Sequence, residues 1–326
     1  MKKQPWFDTN RQILGEVIPL DTPLAITITP SSVCNFKCNY CMQAFDLKTI
    51  RAKGFKIELM PWNTFKKCID QIQEFPHKPK KIEFYGMGEP LCNPDTIDMI
   101  IRAKGLAEST SIMTNGSLLD HQLSNDLIAA GVNEIKISLQ GLSSERYKEI
   151  TGTTVNFEDL ISEISYLNSI KGNCKLYIKV IETGVTSQTE LEYILSPICD
   201  RYSVENILPL FEDVDYRGID VIKTRFGYTS VTRPICTFPF YRLIILTDGR
   251  VTSCCDPLNS IYWGNIHEST LVEMWNSQKR HDLLKLQLRK ESHKHSLCWR
   301  CYMPNDIYSE TDNLEPYAKE ALERIK

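Results

Sequence analysis

The chain has 326 residues, 42% of them apolar and 24% charged, with a net charge of −3. That balance is ordinary for a globular protein of one large or two modest domains. It gives no electrostatic footprint for nucleic acid and no basic coating for a membrane surface. No run of 18 apolar residues occurs, and the opening MKKQPWFDTNRQIL has two lysines but no apolar core of a signal peptide, so a cytoplasmic location is expected. Twelve cysteines are many for such a chain. Without a secretory signal they point to metal or redox chemistry rather than to disulfides.

After an N-terminal extension (1–22), LAITIT (24–29) reads as the first strand. KIEFY (81–85), TSIMT (110–114), EIKISL (134–139), KLYIKVI (175–181) and VENILPLF (204–211) are the further strand candidates. Helical patterns lie between them at 62–75, 94–106, 118–130, 157–170 and 188–199. PDTIDMIIRAKG carries the full set of signals: an early proline and acids, apolar residues at helical spacing, a late lysine and a closing glycine. Strands alternating with helices imply parallel β/α units. Six units fall short of the eight of a closed barrel, so an α/β core over 23–215 is expected as a partial, TIM-like (β/α)6 barrel, either open or closed by something else. Near residue 216 the character changes. YRLIILTDGRVTSCC reads as a hairpin, a helical pattern follows at about 270–290, and a C-x2-C closes the segment. Residues 216–326 are expected to form a smaller α+β domain.

Seven cysteines fall in patterned positions: 34, 38, 41, 236, 254, 298 and 301. The other five, Cys68, Cys92, Cys174, Cys199 and Cys255, default to buried hydrophobes. CNFKCNYC (34–41) sets three thiols in one loop just after strand one. Structural zinc needs a fourth ligand nearby, and the next histidine, His77, is a poor one. A cubane on three thiolates leaves one iron open, which suits chemistry rather than scaffolding. Cys236, Cys254, Cys298 and Cys301 are four thiolates, enough to ligate one cubane completely or one zinc ion.

The C-x3-C-x2-C motif after the first strand of a partial barrel resembles the signature of the radical S-adenosylmethionine (SAM) superfamily, in which an aromatic, here Tyr40, commonly precedes the last cysteine. The resemblance implies that Cys34, Cys38 and Cys41 hold a [4Fe–4S] cluster and that the amino and carboxylate groups of SAM chelate its open iron. Reductive cleavage would then give a 5′-deoxyadenosyl radical. Gly86-Met87-Gly88-Glu89 stands where the family's GGE-type motif contacts the methionine amino group. Asn115 of TNG and Ser138 of ISLQG match positions near the adenosine and the ribose or carboxylate. Gln140 replaces a frequent aspartate. Lys179, on the fifth strand, is a candidate for the barrel mouth.

The C-terminal pattern, Cys236-x12-Gly249-x4-Cys254 and then Cys298-x2-Cys301, resembles the SPASM and twitch extensions of radical SAM enzymes. No cysteine follows residue 301, which matches the shorter twitch form with one auxiliary [4Fe–4S] cluster, Cys255 being the spare thiol. A fully ligated cluster has no place for substrate, so its use would be electron transfer. The twitch-domain cyclitol dehydrogenases have this arrangement. Oxidation of a small polar substrate, a sugar, cyclitol or nucleotide-linked molecule, is therefore the leading expectation, with a flavodoxin- or ferredoxin-like electron donor. Strand one at residue 24 leaves no room for the N-terminal recognition domain of many peptide modifiers, and the terminal ERIK lacks the Gly-Gly of GTP-cyclising enzymes. The alternatives are a radical epimerase, with Cys92 or Cys255 as hydrogen donor, a peptide or protein modifier, and a non-catalytic electron carrier. Glu182, Glu212, Asp213 and Asp215 are candidate acids or bases, and Arg217, Lys223, Arg225 and Arg233 candidate anion contacts.

Overall fold

The computed structural model describes residues 11–211, 214, 216, 223–306 and 309–325. Its elements in chain order are α1 (Leu14–Val17), β1 (Ala25–Ile28), α2 (Leu47–Ala52), α3 (Trp62–Ile72), β2 (Lys81–Phe84), α4 (Thr96–Ala103), β3 (Ser109–Thr114), α5 (His121–Ala130), β4 (Glu134–Leu139), α6 (Ser144–Thr151), α7 (Phe157–Ile170), β5 (Lys175–Ile181), α8 (Gln188–Leu195) and β6 (Arg201–Glu205). Then follow α9 (Phe238–Tyr241), β7 (Arg242–Ile245), β8 (Arg250–Thr252), β9 (Tyr262–Asn265), α10 (Leu271–Trp275), α11 (Gln278–Leu288) and α12 (Ala318–Arg324).

Among the described residues one nine-stranded sheet runs β6-β5-β4-β3-β2-β1-β7-β8-β9. The six expected strands are parallel neighbours in sequence order, as βαβ connections require. The C-terminal segment adds to the same sheet: β7 pairs in parallel with β1, Ala25 opposite Arg242. Hairpin strands β8 and β9 extend that edge antiparallel. The β1 edge of the six-stranded core is thus extended by the chain's own C-terminal strands.

Two expectations need correction. The sixth strand is Arg201–Glu205 rather than 204–211, because Asn206 turns away to bond Arg225 O and Thr224 O through its backbone and side-chain N–H at 2.7 and 3.0 Å, and Pro209 further on cannot donate to a ladder. The helical pattern at 270–290 is two helices, since Ser277 caps α11 by accepting from Arg280 N.

Alternation along the strands sorts the residues into an apolar outer layer and a polar lumen. Ile82, Phe84, Ile135, Ile137 and Leu139 are fully buried in the main core beneath the helices. The intervening residues include Lys81, Glu83, Glu134 and Lys136, a buried four-charge network inside the barrel. In it Lys81 meets Glu134 at 2.5 Å, and Lys136 meets Glu83 at 3.2 Å and Glu134 at 3.4 Å. Burial works against the ionised Glu83, but Lys136 and Lys81 outweigh it and hold its carboxyl below the usual range.

Candidate active site

The loop after β1 carries Cys34, Cys38 and Cys41, and its shape is fixed from three sides. Lys37 N and Asn39 N donate to Thr151 O and Ile150 O at the end of α6, at 3.0 and 2.9 Å. Phe36 is buried edge-on against Tyr147. Gln43 donates to Ser32 O at 2.9 Å and also to Met87 O, tying the cysteine loop to the glycine turn after β2. The turn packs backbone on backbone: a Cβ at Gly88 would lie 2.5 Å from the carbonyl oxygens of both Ser31 and Val33, and one at Gly86 would lie 2.3 Å from Thr29 Cγ2. Glycine is demanded at 86 and 88 by this close approach.

Glu89 is buried, 2% exposed, and its carboxylate gathers the end of β3. It accepts from Thr114 Oγ1 at 2.6 Å, Asn115 N at 2.7 Å and Leu91 N at 3.1 Å. Burial pushes its carboxyl up to about 7 despite these donors. Asn115 reaches the cysteine loop through its amide, donating to Asn35 Oδ1 at 2.8 Å. Gln140 takes up the position of the expected aspartate with a positioning role: its oxygen accepts from the Tyr40 hydroxyl, and its amide donates to Ser138 Oγ at 3.1 Å. Lys179 faces the barrel mouth, 3.7 Å from Glu205. All these side chains except Asn35 and Leu91 line one cavity of about 280 Å³ with Cys34, Cys38, Cys41, Gly86 and Gly88.

Burial pushes the Cys34 and Cys38 thiols up to about 12 and raises Cys41. Such thiols become thiolates when a cationic centre compensates the lost hydration, which is what cluster iron supplies. The donor set therefore fits an iron–sulfur cluster on three thiolates, and the adjoining cavity offers Glu89 and Ser138 to a ligand of its open iron.

Inside the barrel a second cavity of about 400 Å³ shares Tyr85, Gly86, Met87, Met113, Lys179 and Arg225 with the first. Its wall includes Thr27, Glu83, Lys136 and Arg242 from four strands. Arg225 crosses its roof and is held by Asp306, Nε to Oδ2 at 2.6 Å.

Cys236, Cys254, Cys298 and Cys301 line a third cavity of about 420 Å³ together with Cys255. Gln287, buried at 1% exposure on α11, bridges two of them: its oxygen accepts from Cys236 N at 2.9 Å and its amide reaches Cys298 Sγ at 3.6 Å. Cys254 N donates to Thr252 Oγ1 at 3.0 Å. Burial raises the Cys236 and Cys254 thiols and pushes Cys298 to about 11 and Cys301 to about 12. Among the described residues no three His, Cys, Asp or Glu side chains converge as a single ion requires. Four thiols around one cavity are enough to ligate a cubane or a zinc ion.

Of the expected site residues, the three loop cysteines, Tyr40, Gly86, Gly88, Glu89, Asn115, Ser138 and Lys179 come together at one cavity, and the four C-terminal cysteines at another. Cys255 lines both the auxiliary and the lumen cavities. Cys92 is half-buried in a turn beside Cys34 and Glu89 and lines none of the three cavities. Glu182 is exposed on the outer surface. Lys223 and Arg233 line none of the three either, Arg233 pairing with Glu310 at 2.8 Å. Glu212, Asp213, Asp215 and Arg217 lie outside the described residues. Sequence reasoning missed Gln43, Gln287 and Arg242. The polar residue that interrupts the apolar face of α11 was the one available signal for Gln287.

A partial parallel barrel with a three-thiol loop after β1 and a four-thiol site on the C-terminal segment defines a two-site iron–sulfur protein. Two family models agree: the Radical SAM superfamily over residues 28–192 and an iron–sulfur cluster-binding SPASM domain over residues 236–302. The chain belongs to the radical SAM superfamily. Among curated relatives, it is 24% identical over 76% of its length to a tungsten-containing aldehyde ferredoxin oxidoreductase cofactor-modifying protein of Pyrococcus furiosus, covering 80% of that protein. It is 27% identical over 73% of its length to a probable GTP 3′,8-cyclase of Methanopyrus kandleri, covering 74% of it. Its fold is similar to that of BtrN, solved with AdoMet and 2-DOIA (TM-score 0.59, 16% identity, 89% of this chain and 95% of that one). It is also similar to that of Streptococcus suis SuiB bound to S-adenosylmethionine (TM-score 0.60, 19% identity, 90% and 74%). No helix among the described residues is long and apolar enough to cross a membrane.

Proposed function

We propose that this protein is a cytoplasmic radical SAM oxidoreductase that removes hydrogen from a small polar substrate, a sugar, cyclitol or nucleotide-linked molecule, held in the barrel lumen. The observation that carries the reading is the position of the lumen cavity. It shares Gly86, Met87 and Lys179 with the cavity of the three-cysteine loop, and Phe238, Cys254 and Cys255 with the cavity of the four C-terminal cysteines. A substrate there touches a hydrogen-abstracting site on one side and an electron-accepting site on the other. When bound, the cofactors supply reductive cleavage of SAM to a 5′-deoxyadenosyl radical and a one-electron acceptor. The chain's own part is to exclude water and to hold hydroxyl groups, with Glu83, Tyr85, Lys136 and Arg225 as polar wall.

The electron must also reach a partner protein. Residues 279–300 carry seven Lys or Arg against two Asp or Glu, a local +5 in a chain of −3. They run up to Cys301, which is exposed as a residue. That favours an acidic carrier of the flavodoxin or ferredoxin kind at the auxiliary site.

A second reading, epimerisation, is favoured by Cys255, a thiol outside the four-cysteine pattern that faces the lumen as a hydrogen donor. One experiment tests both. Anaerobically reconstituted protein should hold about eight irons, and with a polyol, cyclitol and nucleotide-sugar pool plus a low-potential reductant it should release 5′-deoxyadenosine with a product two hydrogens lighter. An isomer carrying solvent deuterium would select epimerisation. No SAM cleavage with any pool would leave a cluster-bearing electron carrier and end the enzyme reading.

A further inference from the structure

Arg242 opens β7 and is buried, 9% exposed, in the wall of the lumen cavity. Its guanidinium donates through Nη2 to Cys255 Sγ at 2.9 Å and through Nε to Ser253 O at 3.3 Å, and it lies 3.8 Å from the Phe238 ring centroid. Among the described residues no carboxylate is within ion-pair distance of it. Other cavity-wall cations have theirs: Lys136 has Glu83 and Glu134, Arg225 has Asp306, and Arg11 has Asp312. Among the described residues the cavity wall carries Arg11, Lys136, Lys179, Arg225 and Arg242 against Glu83, Asp306 and Asp312, and with Glu205 beside Lys179 the net charge is +1. With a carbonyl and a sulfur as its acceptors and the cavity beside it, this guanidinium has room for an acidic partner from outside.

Resting on the reading above, and deepening it, we propose that Arg242 is an anion subsite: the substrate carries an acidic group, a carboxylate or a phosphate, which Arg242 receives at the floor of the lumen. The strand register supports the placement. Arg242 lies opposite Ala25, the first residue of β1, whereas the cysteine loop follows the other end of that strand. An acid anchored at the floor leaves the opposite end of the molecule directed toward Met87 and Lys179, where the two cavities join. Neutral sugars and cyclitols would leave the guanidinium without its partner.

The test needs no turnover. Holoprotein with both clusters and SAM bound is treated with phenylglyoxal, and arginine adducts are mapped by mass spectrometry with inorganic phosphate, with acetate, or with chloride at equal ionic strength. Arg242 should be labelled in chloride and protected at least about fivefold by one of the two anions; phosphate protection identifies a phosphorylated substrate and acetate protection a carboxylate. In calorimetry the protecting anion should bind wild type and C255S alike and lose at least about tenfold in R242Q of unchanged iron content, a loss on the scale of one charge-assisted contact. An Arg242 that never labels is sealed against protein, and one that labels without protection has no anion site; either overturns the proposal. So does loss of anion binding in C255S, which would make the thiol part of the site. Failure of substrate oxidation with anion binding intact would refute the proposed reaction and leave this subsite standing.

Discussion

Replacing Glu89 by glutamine separates two roles of one carboxylate. If its charge accepts a hydrogen bond from the iron-bound amino group of SAM, the neutral amide forfeits a charge-assisted contact worth about 2 kcal/mol, or about thirtyfold in affinity. The carboxyl is pushed up to about 7 by burial, so the wild-type site is itself half protonated near neutrality. The sign follows. Only the ionised form accepts from that amino group, and the proton the amino group itself loses to ligate iron is common to both proteins, so the wild-type advantage over the variant should be flat above pH 7 and fall about tenfold per pH unit below it. The ratio of wild-type to variant affinity should approach one at low pH. A separate stability cost comes from the backbone. Thr114 Oγ1 and Leu91 N converge on one oxygen while Asn115 N donates to the other. The amide oxygen can serve one side, which leaves a buried donor facing a donor at about 1–3 kcal/mol. Calorimetric SAM titration from pH 5.5 to 8.5 on cluster-loaded protein, with a denaturation curve beside it, reads both. Equal SAM affinity in variant and wild type across the pH range would refute the role of Glu89 as the partner of the amino group.

Three more substitutions probe the rest of the site. Gly88→Ala should lose the three-cysteine cluster, about half the iron, because its Cβ would fall 2.5 Å from two backbone oxygens; a full iron complement would show that the turn yields instead. Cys254→Ser should lose the auxiliary cluster, and Cys255→Ser should keep it. Iron content and low-temperature electron paramagnetic resonance compare them, and the reverse pattern would exchange the two thiols' roles. Gln287→Leu removes the acceptor for Cys236 N and the donor to Cys298 Sγ. The protein should lose about 1–3 kcal/mol and its auxiliary cluster should bleach faster in air, whereas wild-type bleaching kinetics would make the bridge incidental.

Much of the fold could be read from the sequence because its signals are local. EIKISL and KLYIKVI carry their aliphatic alternation on their face, and Gly131 ends α5 in the left-handed conformation that glycine favours. The cysteine spacings and the glycines at 86 and 88 also sit within a few residues of what they constrain. What stayed hidden is what depends on distant partners. RLII reads as one arm of a hairpin, and nothing in those four residues says that it also pairs with Ala25–Ile28, more than two hundred positions earlier. Nor does LAITIT announce a partner on both of its edges. Yet that pairing brings Arg242 and the Cys254–Cys255 turn to the barrel wall. Without it the chain would have two cluster sites and no shared cavity between them. The same logic explains Lys81, Glu83, Glu134 and Lys136. In sequence they are the polar half of two half-buried strands and would be placed in solvent. The curvature of the sheet turns that half inward, and a pattern that looks like a water-facing surface becomes a charge network inside the barrel, with Glu83 and Lys136 in the wall of the lumen cavity. Polar alternation in the strands of a partial barrel therefore reports on the lumen, and so on the polarity of what binds there.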